Sequence, residues 1–298
     1  MPENSTIPDI WRILDLINWT TDYLQSREFP SPRTDVEWLL TSVLDCSRVD
    51  LYTNFEKPLN SDELTEFKQL LKRRVNHEPV QYIIGKTEFM GLPFRVNESV
   101  LIPRPETEIL VEHAIDWFRA RSEDARKILD IGTGSGCIAV SLAKFVDAVS
   151  AIAIDLSDEA LAVASQNADL NEVSEKITFQ QLNILEKTPP DIPFDLIVSN
   201  PPYIDQDDYE RLQRDIREYE PDSALIADET GLAFYRQFAE NAQNWLAHNG
   251  LLLCEIGGTH QSESIRQLFE KSGWQNIRIL KDYNTQDRLL FATSSSTD

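Results

Sequence analysis

Apolar positions in the first quarter of the chain recur at the spacing of a single helix face. Ile10, Ile13, Leu14 and Ile17 form one stripe, Val36, Leu39, Leu40 and Val43 a second, and Leu64, Phe67, Leu71 and Val75 a third. Residues three and four apart share one side of an α-helix, so each stripe predicts an amphipathic helix with a buried face. Pro30 and Pro32 separate the first two helices, and Pro58 with Asn60-Ser61 precedes the third. Proline and a short polar side chain at these places are helix start signals. The expectation is a small helical bundle over residues 1–79.

The pattern changes at residue 80. Tyr82-Ile83-Ile84-Gly85 and Phe94-Arg95-Val96-Asn97 flank Gly91-Leu92-Pro93, which predicts a β-hairpin linker over residues 80–105, ending at Pro103-Arg104-Pro105. A helix is expected from Glu106 to about Arg121, with Ile109, Leu110, His113, Ala114 and Trp117 on one face. Strand-like and helical segments then alternate. Strands are expected at Lys127–Ile131, Ser150–Asp155, Ile177–Leu182, Asp195–Ser199, Leu251–Ile256, Ile277–Lys281 and Arg288–Ala292. Helices are expected at Cys137–Phe145, Asp158–Leu170, Gly231–Ala247 and Gln261–Lys271. Such alternation gives an α/β domain, here residues 106–298, with a mainly parallel sheet covered on both faces.

Composition narrows the partners. The 298 residues are 41% hydrophobic, and no apolar run reaches membrane-spanning length. Residues Met1 to Thr6 lack the basic and apolar regions of a signal peptide. Cys46, Cys137 and Cys254 have no metal or redox spacing and read as core residues in a reducing compartment, hence the cytoplasm. Net charge is -22, from 28 basic against 50 acidic residues. Nucleic acids are held mainly by Lys and Arg that displace counterions, so this balance argues against direct nucleic-acid binding. Lys72-Arg73-Arg74 is the one basic cluster and reads as a solvated helix face.

Two motifs carry chemistry. Asp130-Ile131-Gly132-Thr133-Gly134-Ser135-Gly136 follows a strand and opens a helix. Its glycines permit a tight turn and close approach of a ligand, and exposed amides at a helix start favour an anionic group. A dinucleotide fingerprint would need glycine at 137, where cysteine stands. Gly-x-Gly-x-Gly after an acid is instead the pattern of class I methyltransferases that bind S-adenosyl-L-methionine. Asp155, at the end of the second strand, reads alone as a helix N-cap or loop charge, and paired with the loop as a carboxylate placed to accept both hydroxyls of a ribose. Asn183 and Ile184, after the third, are candidates for the adenine amine and ring, with a plain turn asparagine as the competing reading.

The second motif is Asn200-Pro201-Pro202-Tyr203, directly after the apolar run Phe194 to Ser199. Two prolines stiffen the backbone and remove two donors, leaving the Asn200 side-chain oxygen and two carbonyls as acceptors beside an aromatic ring. That arrangement suits a planar NH2 group. Asn200 and the Pro201 carbonyl are expected to accept its two N–H bonds, with Tyr203 packed on its face. None of His77, His113, His248 and His260 lies near this motif in sequence.

With these motifs the chain resembles the release-factor glutamine methyltransferases, the HemK/PrmC family, over nearly its whole length. The resemblance rests on Glu78-Pro79-Val80-Gln81-Tyr82-Ile83-Ile84-Gly85, Leu101 through Glu108 (with Pro103-Arg104-Pro105-Glu106-Thr107-Glu108), Asp130 to Gly136, Ser199 to Ile204, Tyr219-Glu220-Pro221, Gly231-Leu232, Tyr235-Arg236 and Glu255-Ile256-Gly257. It implies a class I S-adenosylmethionine-dependent, Rossmann-like domain that methylates the side-chain nitrogen of the Gly-Gly-Gln glutamine in class I peptide chain release factors. It also implies that the N-terminal helices help recognise that protein. The cofactor set is then Gly132, Thr133, Gly134, Ser135, Gly136, Asp155, Asn183, Ile184 and Asn200, and the substrate set Asn200, Pro201, Pro202, Tyr203 and Arg104. Arg104 reads equally as a linker ion pair. Asn183, Thr230 and Cys254 stand where the family commonly has aspartate, aspartate and leucine. Because amino-methyltransferases of nucleic acids share the tetrad, one of these is a rival, as is a ribosomal-protein glutamine methyltransferase.

Overall fold

The computed structural model of the chain describes residues 10–121, 126–228 and 230–293. Its contacts divide it into two compact units, one comprising the chain up to Gly85 with Arg214–Tyr219, the other Lys86–Gln213 and the chain from Glu220 onward.

The first unit contains α1 (Ile13–Gln25), α2 (Pro32–Leu44), α3 (Arg48–Thr53), α4 (Ser61–Val75), α5 (Val80–Ile84) and the later α10 (Arg214–Tyr219). Pro32 sits in the first turn of α2, where its missing N–H costs nothing. Asn60 caps α4 by accepting from the amides of Asp62 and Glu63, and the Glu63 carboxylate accepts from the Asn60 amide in return. The three sequence stripes supply Ile13, Ile17, Val36, Leu39, Leu40 and Phe67 to one core. Ile10 does not join it, lying ahead of α1 and 65% exposed.

Two expectations are corrected in this unit. The Tyr82–Gly85 strand is the helix α5, which runs between Pro79 at its start and Gly85 at φ 72 after its end. Val80 and Ile83, three apart, bury into the helical core, and that burial overrides their β-preference. The basic cluster is not simply solvated either. Arg74 is 4% exposed, with Nε 2.7 Å from Asp35 and NH1 donating to the Glu78 carbonyl at 3.1 Å. Arg73 Nε donates to Glu78 at 2.8 Å. Because Asp35 is itself buried, Arg74→Ala leaves a carboxylate without its counterion, and a loss of about 3–5 kcal/mol is expected in denaturant unfolding. A loss under about 1 kcal/mol would show that this pair is no more than a surface bridge.

The second unit opens with a hairpin, β1 (Lys86–Phe89) and β2 (Leu92–Arg95), joined by Met90 at φ 53 and Gly91 at φ 70. Two consecutive positive φ values suit a two-residue turn between twisted strands. Phe89 and Phe94 enter the core of this unit. There follow α6 (Pro105–Arg119), β3 (Arg126–Ile131), α7 (Cys137–Phe145), β4 (Val149–Asp155), α8 (Asp158–Leu170), β5 (Ile177–Gln181), β6 (Phe194–Ser199), α9 (Gln206–Tyr209), α11 (Asp222–Leu225), α12 (Ala233–Asn241), β7 (Leu246–Glu255), α13 (Thr259–Lys271), β8 (Gln275–Lys281) and β9 (Asp287–Thr293). The helix expected over Gly231–Ala247 is shorter, because a tight turn at Ala242–Asn244 ends it and β7 already begins at Leu246.

Among the described residues, seven strands form one sheet in the order β5-β4-β3-β6-β7-β9-β8, parallel except where β9 pairs antiparallel with both neighbours. In β7, Leu251 and Leu253 face one core cluster while Leu252 and Cys254 face the other. Burial on both faces explains an unbroken apolar run where a one-sided strand would alternate. The chain steps outward from β3 through β4 to β5, then crosses back to β6 and on to β7. That reversal opens a crevice at the carboxyl ends of β3 and β6, where α/β sheets place their ligands. No helix among the described residues is long and apolar enough to cross a membrane.

Candidate active site

The glycine loop leaves the end of β3 with Gly132 at φ 70, Gly134 at φ 54 and Gly136 at φ 79. A Cβ at Gly132 or Gly134 would meet nothing within 4 Å, so open space lies over the first part of the loop. At Gly136 a Cβ would stand 3.0 Å from the Ala164 Cβ, so this third glycine lets α7 and α8 approach. Gly132 and Thr133 donate to the Ile154 carbonyl at 2.9 and 3.0 Å, tying the loop to β4. The buried Asn167 of α8 donates to the carbonyls of Ser135 and Arg95, at 2.8 and 3.0 Å, so one side chain links loop, hairpin and helix.

Asp155 ends β4. One carboxylate oxygen accepts from the Gly134 amide at 2.8 Å and the other from the Ser157 amide at 3.0 Å. Two backbone donors thus fix its orientation, and each oxygen keeps room for a further donor. Burial pushes its carboxyl above the ordinary range, opposed by those amides.

Asn200 follows β6. Its Nδ2 donates to Thr107 Oγ1 at 3.1 Å, and Thr107 Oγ1 donates to Glu255 Oε2 at 2.7 Å. The Tyr203 hydroxyl donates to the other oxygen, Glu255 Oε1, at 3.3 Å. Glu255 is 1% exposed, and burial pushes its carboxyl up to about 6 against the pull of Thr107, Arg288 and Tyr203. The backbone around Tyr203 is crowded. A Cβ at Gly231 would lie 2.4 Å from the Tyr203 carbonyl oxygen, and one at Gly257 would lie 2.6 Å from Gln261 Oε1 and 3.0 Å from the Tyr203 ring.

One cavity of about 280 Å³ joins these parts, all within the larger unit. It is lined by Gly132, Thr133, Gly134, Ser135, Asp155, Asn183, Ile184, Asn200, Pro201, Pro202 and Arg104 from the sequence-derived set. Gly136 and Tyr203 are not among its lining residues. Gly136 is spent on helix packing, and Tyr203 packs on the core cluster beside α12 and α13 with its hydroxyl on Glu255. The ring expected against a bound amide is therefore not on the cavity wall. Arg104 lines the cavity, and its NH2 lies 2.6 Å from the buried Glu220 carboxylate, the ion pair of the linker reading. Asn183 lines the cavity and is also a turn residue, its Oδ1 accepting from the Leu185 amide at 3.1 Å.

Thr107, Leu156, Leu182 and Phe234 also line the cavity and were not anticipated. Thr107 stood inside a motif without an assigned role. The three apolar residues carry no chemical signature, and only folding brings them to this wall.

The donor set fits S-adenosyl-L-methionine. Open space over Gly132 and Gly134 leaves room for a chain beside the loop, whose Gly132, Thr133, Gly134 and Gly136 amides already donate to Ile154, Asp155 and Thr133. Asp155 offers an oriented carboxylate, and Leu156, Leu182 and Ile184 give apolar wall for a base. Residues 15–85 match the PrmC N-terminal domain family, and residues 106–218 match the methyltransferase small domain family. A release factor glutamine methyltransferase of Geobacter sulfurreducens is 42% identical over 283 residues, covering 95% of this chain and 97% of that protein. One of Chlorobaculum tepidum is 40% identical over 294 residues, covering 97% of this chain and 98% of its own.

The chain belongs to the release factor glutamine methyltransferase family.

Its members are methyltransferases, and the fold class draws its methyl group from S-adenosyl-L-methionine. Among solved structures, the hMettl16 catalytic domain in complex with a 3′UTR hairpin aligns with TM-score 0.57 at 17% identity, covering 94% of this chain and 92% of that one. At that identity the likeness speaks for the fold alone.

Asp130, under the loop, gives a pH test. It is fully buried, and desolvation pushes its carboxyl up to about 7 despite bonds from Thr133 and the Ala139 amide. The unfolded carboxyl titrates at about 4, so between about pH 4 and 7 the native state holds the extra proton. Stability from this group therefore falls as pH rises through that window. Asp130→Asn should gain stability relative to wild type between about pH 5 and about pH 8, read by denaturant unfolding at both values. An unchanged difference would show that Asp130 is ionised throughout.

Proposed function

We propose that this chain transfers a methyl group from S-adenosyl-L-methionine to the side-chain amide nitrogen of the glutamine in the Gly-Gly-Gln motif of class I peptide chain release factors. The observation that carries the reading is the shared cavity. The rigid acceptor turn Asn200-Pro201-Pro202 and the glycine loop with Asp155 face the same space. Relatives of nearly the same length named release factor glutamine methyltransferases support a release factor glutamine as the substrate.

An amide nitrogen is a poor nucleophile because its lone pair is delocalised into the carbonyl. When bound, S-adenosyl-L-methionine supplies a methyl carbon on a sulfonium sulfur, a leaving group that needs no acid. The protein's part is positioning and charge. Asn200 Oδ1 accepts one N–H of the glutamine and the Pro201 carbonyl accepts the other, which fixes the nitrogen and its lone-pair axis. Accepting both N–H bonds also stabilises the positive charge that grows on nitrogen during transfer. Holding reactants in this way is worth on the order of 7–11 kcal/mol in favourable intramolecular models. The nitrogen releases a proton to solvent afterwards, so no general base is required beforehand.

Asp155 holds the ribose, with the open face of the loop Gly132 to Ser135 beside the amino-acid end and Asn183 and Ile184 at the adenine. Arg104, tethered to Glu220, borders the substrate entrance. The helical unit recognises the release factor. The charge of -22 disfavours direct nucleic-acid contact. The reaction belongs to the cytoplasm, where translation terminates.

Mass spectrometry of a purified release factor after incubation with enzyme and S-adenosyl-L-methionine tests the reading. A gain of one methyl on the motif glutamine is expected, and methylation of DNA, RNA or a ribosomal protein instead would overturn it. Asn200→Ala should lose on the order of 100-fold in kcat, far more than any change in cofactor affinity read by calorimetry. Asp155→Ala should instead weaken cofactor binding, and unchanged affinity would remove its ribose role.

A further inference from the structure

We propose that Thr107, anchored by Glu255, is a positioning residue that fixes which end of the Asn200 amide faces the glutamine. The inference rests on the proposed role of Asn200 as the amide acceptor. The oxygen and NH2 of an asparagine side chain have nearly the same shape, so packing alone does not choose between them. A polar partner must.

The contacts supply that partner. The Thr107 hydroxyl has one proton, and Oγ1 lies 2.7 Å from Glu255 Oε2. An ionised carboxylate only accepts, so the proton is committed there. Towards Asn200, at 3.1 Å, the hydroxyl then offers only lone pairs, and only Nδ2 can answer them. A flipped amide would set two acceptors against each other. Thr107 and Glu255 are each 1% exposed, which leaves little access for water to relieve the mismatch. On the outer side, a flip would point the NH2 of Asn200 at the NH2 of the substrate.

The anchor is itself held. Glu255 Oε1 accepts from the Tyr203 hydroxyl, and Tyr203 belongs to the same tetrad as Asn200. Thr107 lies in the first turn of α6, Glu255 at the end of β7 and Asn200 just after β6. Three distant segments thus converge on one amide orientation. This assigns a task to the Pro-Arg-Pro-Glu-Thr-Glu and Glu-Ile-Gly stretches.

The test compares Thr107→Val, Thr107→Ser, Asn200→Ala and the double variant Thr107→Val/Asn200→Ala, with release factor as substrate. Valine should lower kcat by about tenfold or more with the release-factor KM little changed. Cofactor affinity by calorimetry should be that of wild type. Serine keeps the hydroxyl and should restore kcat to within about threefold. On the Asn200→Ala background, valine should cost less than about twofold, since there is no amide left to orient. Thr107→Ala, which removes the hydroxyl without adding a methyl, is read in parallel and carries the same expectations should valine unfold the chain.

A near-normal kcat in both Thr107→Val and Thr107→Ala, beside an inactive Asn200→Ala, overturns this inference alone. So does serine as damaging as valine, or a valine penalty as large without Asn200 as with it. Turnover retained by Asn200→Ala overturns the acceptor role and this inference together.

Discussion

A carboxylate buried at the end of β7 can accept hydrogen bonds and cannot donate them while ionised. That asymmetry passes from Glu255 to the Thr107 hydroxyl and from there to the Asn200 amide. At each step one proton is committed inward and one acceptor is left outward. The outermost group is the Asn200 oxygen, beside the carbonyls that Pro201 and Pro202 leave without N–H competitors. The acceptor character of the site is thus set by a charge one residue removed from the cavity wall. Its cost is a carboxyl held in an apolar setting, visible in the upward push on Glu255.

Sheet topology brings the two halves of the site together. Because the strand order reverses across the sheet between β5 and β6, the carboxyl ends of the parallel strands β3, β4 and β6 form one rim. The glycine loop and Asn200 follow β3 and β6, and Asp155 ends β4. Backbone bonds from the loop to Ile154 and Asp155 lock the first two to each other. Gly231 and Gly257 allow the chain to pass close to the Tyr203 backbone and ring, which sets the far side of the tetrad. Positioning is therefore carried by rigid strand ends and close packing rather than by long loops, as chemistry that depends on alignment requires.

Much of this was legible in the residues, and the reasons differ by element. The periods of α7 and α8 match the observed Cys137–Phe145 and Asp158–Leu170, because both faces of an alternating α/β layer leave clear sequence patterns. Tyr82–Gly85 misled because its residue types favour strands, whereas Pro79, Gly85 and a buried helical face decide the outcome. The sequence pattern puts Arg74 on a solvated face because a single sequence does not reveal Asp35 facing it across the bundle. In the site, residues with backbone or side-chain chemistry were found, while Leu182 and Phe234 were not, since an apolar wall has no local signature. The glycine pattern points to Gly136 and the aromatic face of the tetrad to Tyr203 as ligand contacts, yet neither lines the cavity: Gly136 meets Ala164 and the Tyr203 hydroxyl donates to Glu255.

The orientation of the Asn200 amide in the presence of substrate is the most direct measure of this arrangement. A crystal structure of the enzyme with S-adenosylhomocysteine and a release factor would give it. The glutamine nitrogen is expected within about 3.2 Å of Asn200 Oδ1 and of the Pro201 carbonyl oxygen, with Nδ2 still on Thr107. A glutamine nitrogen seated elsewhere, or an Asn200 side chain turned away to another partner, would contradict it.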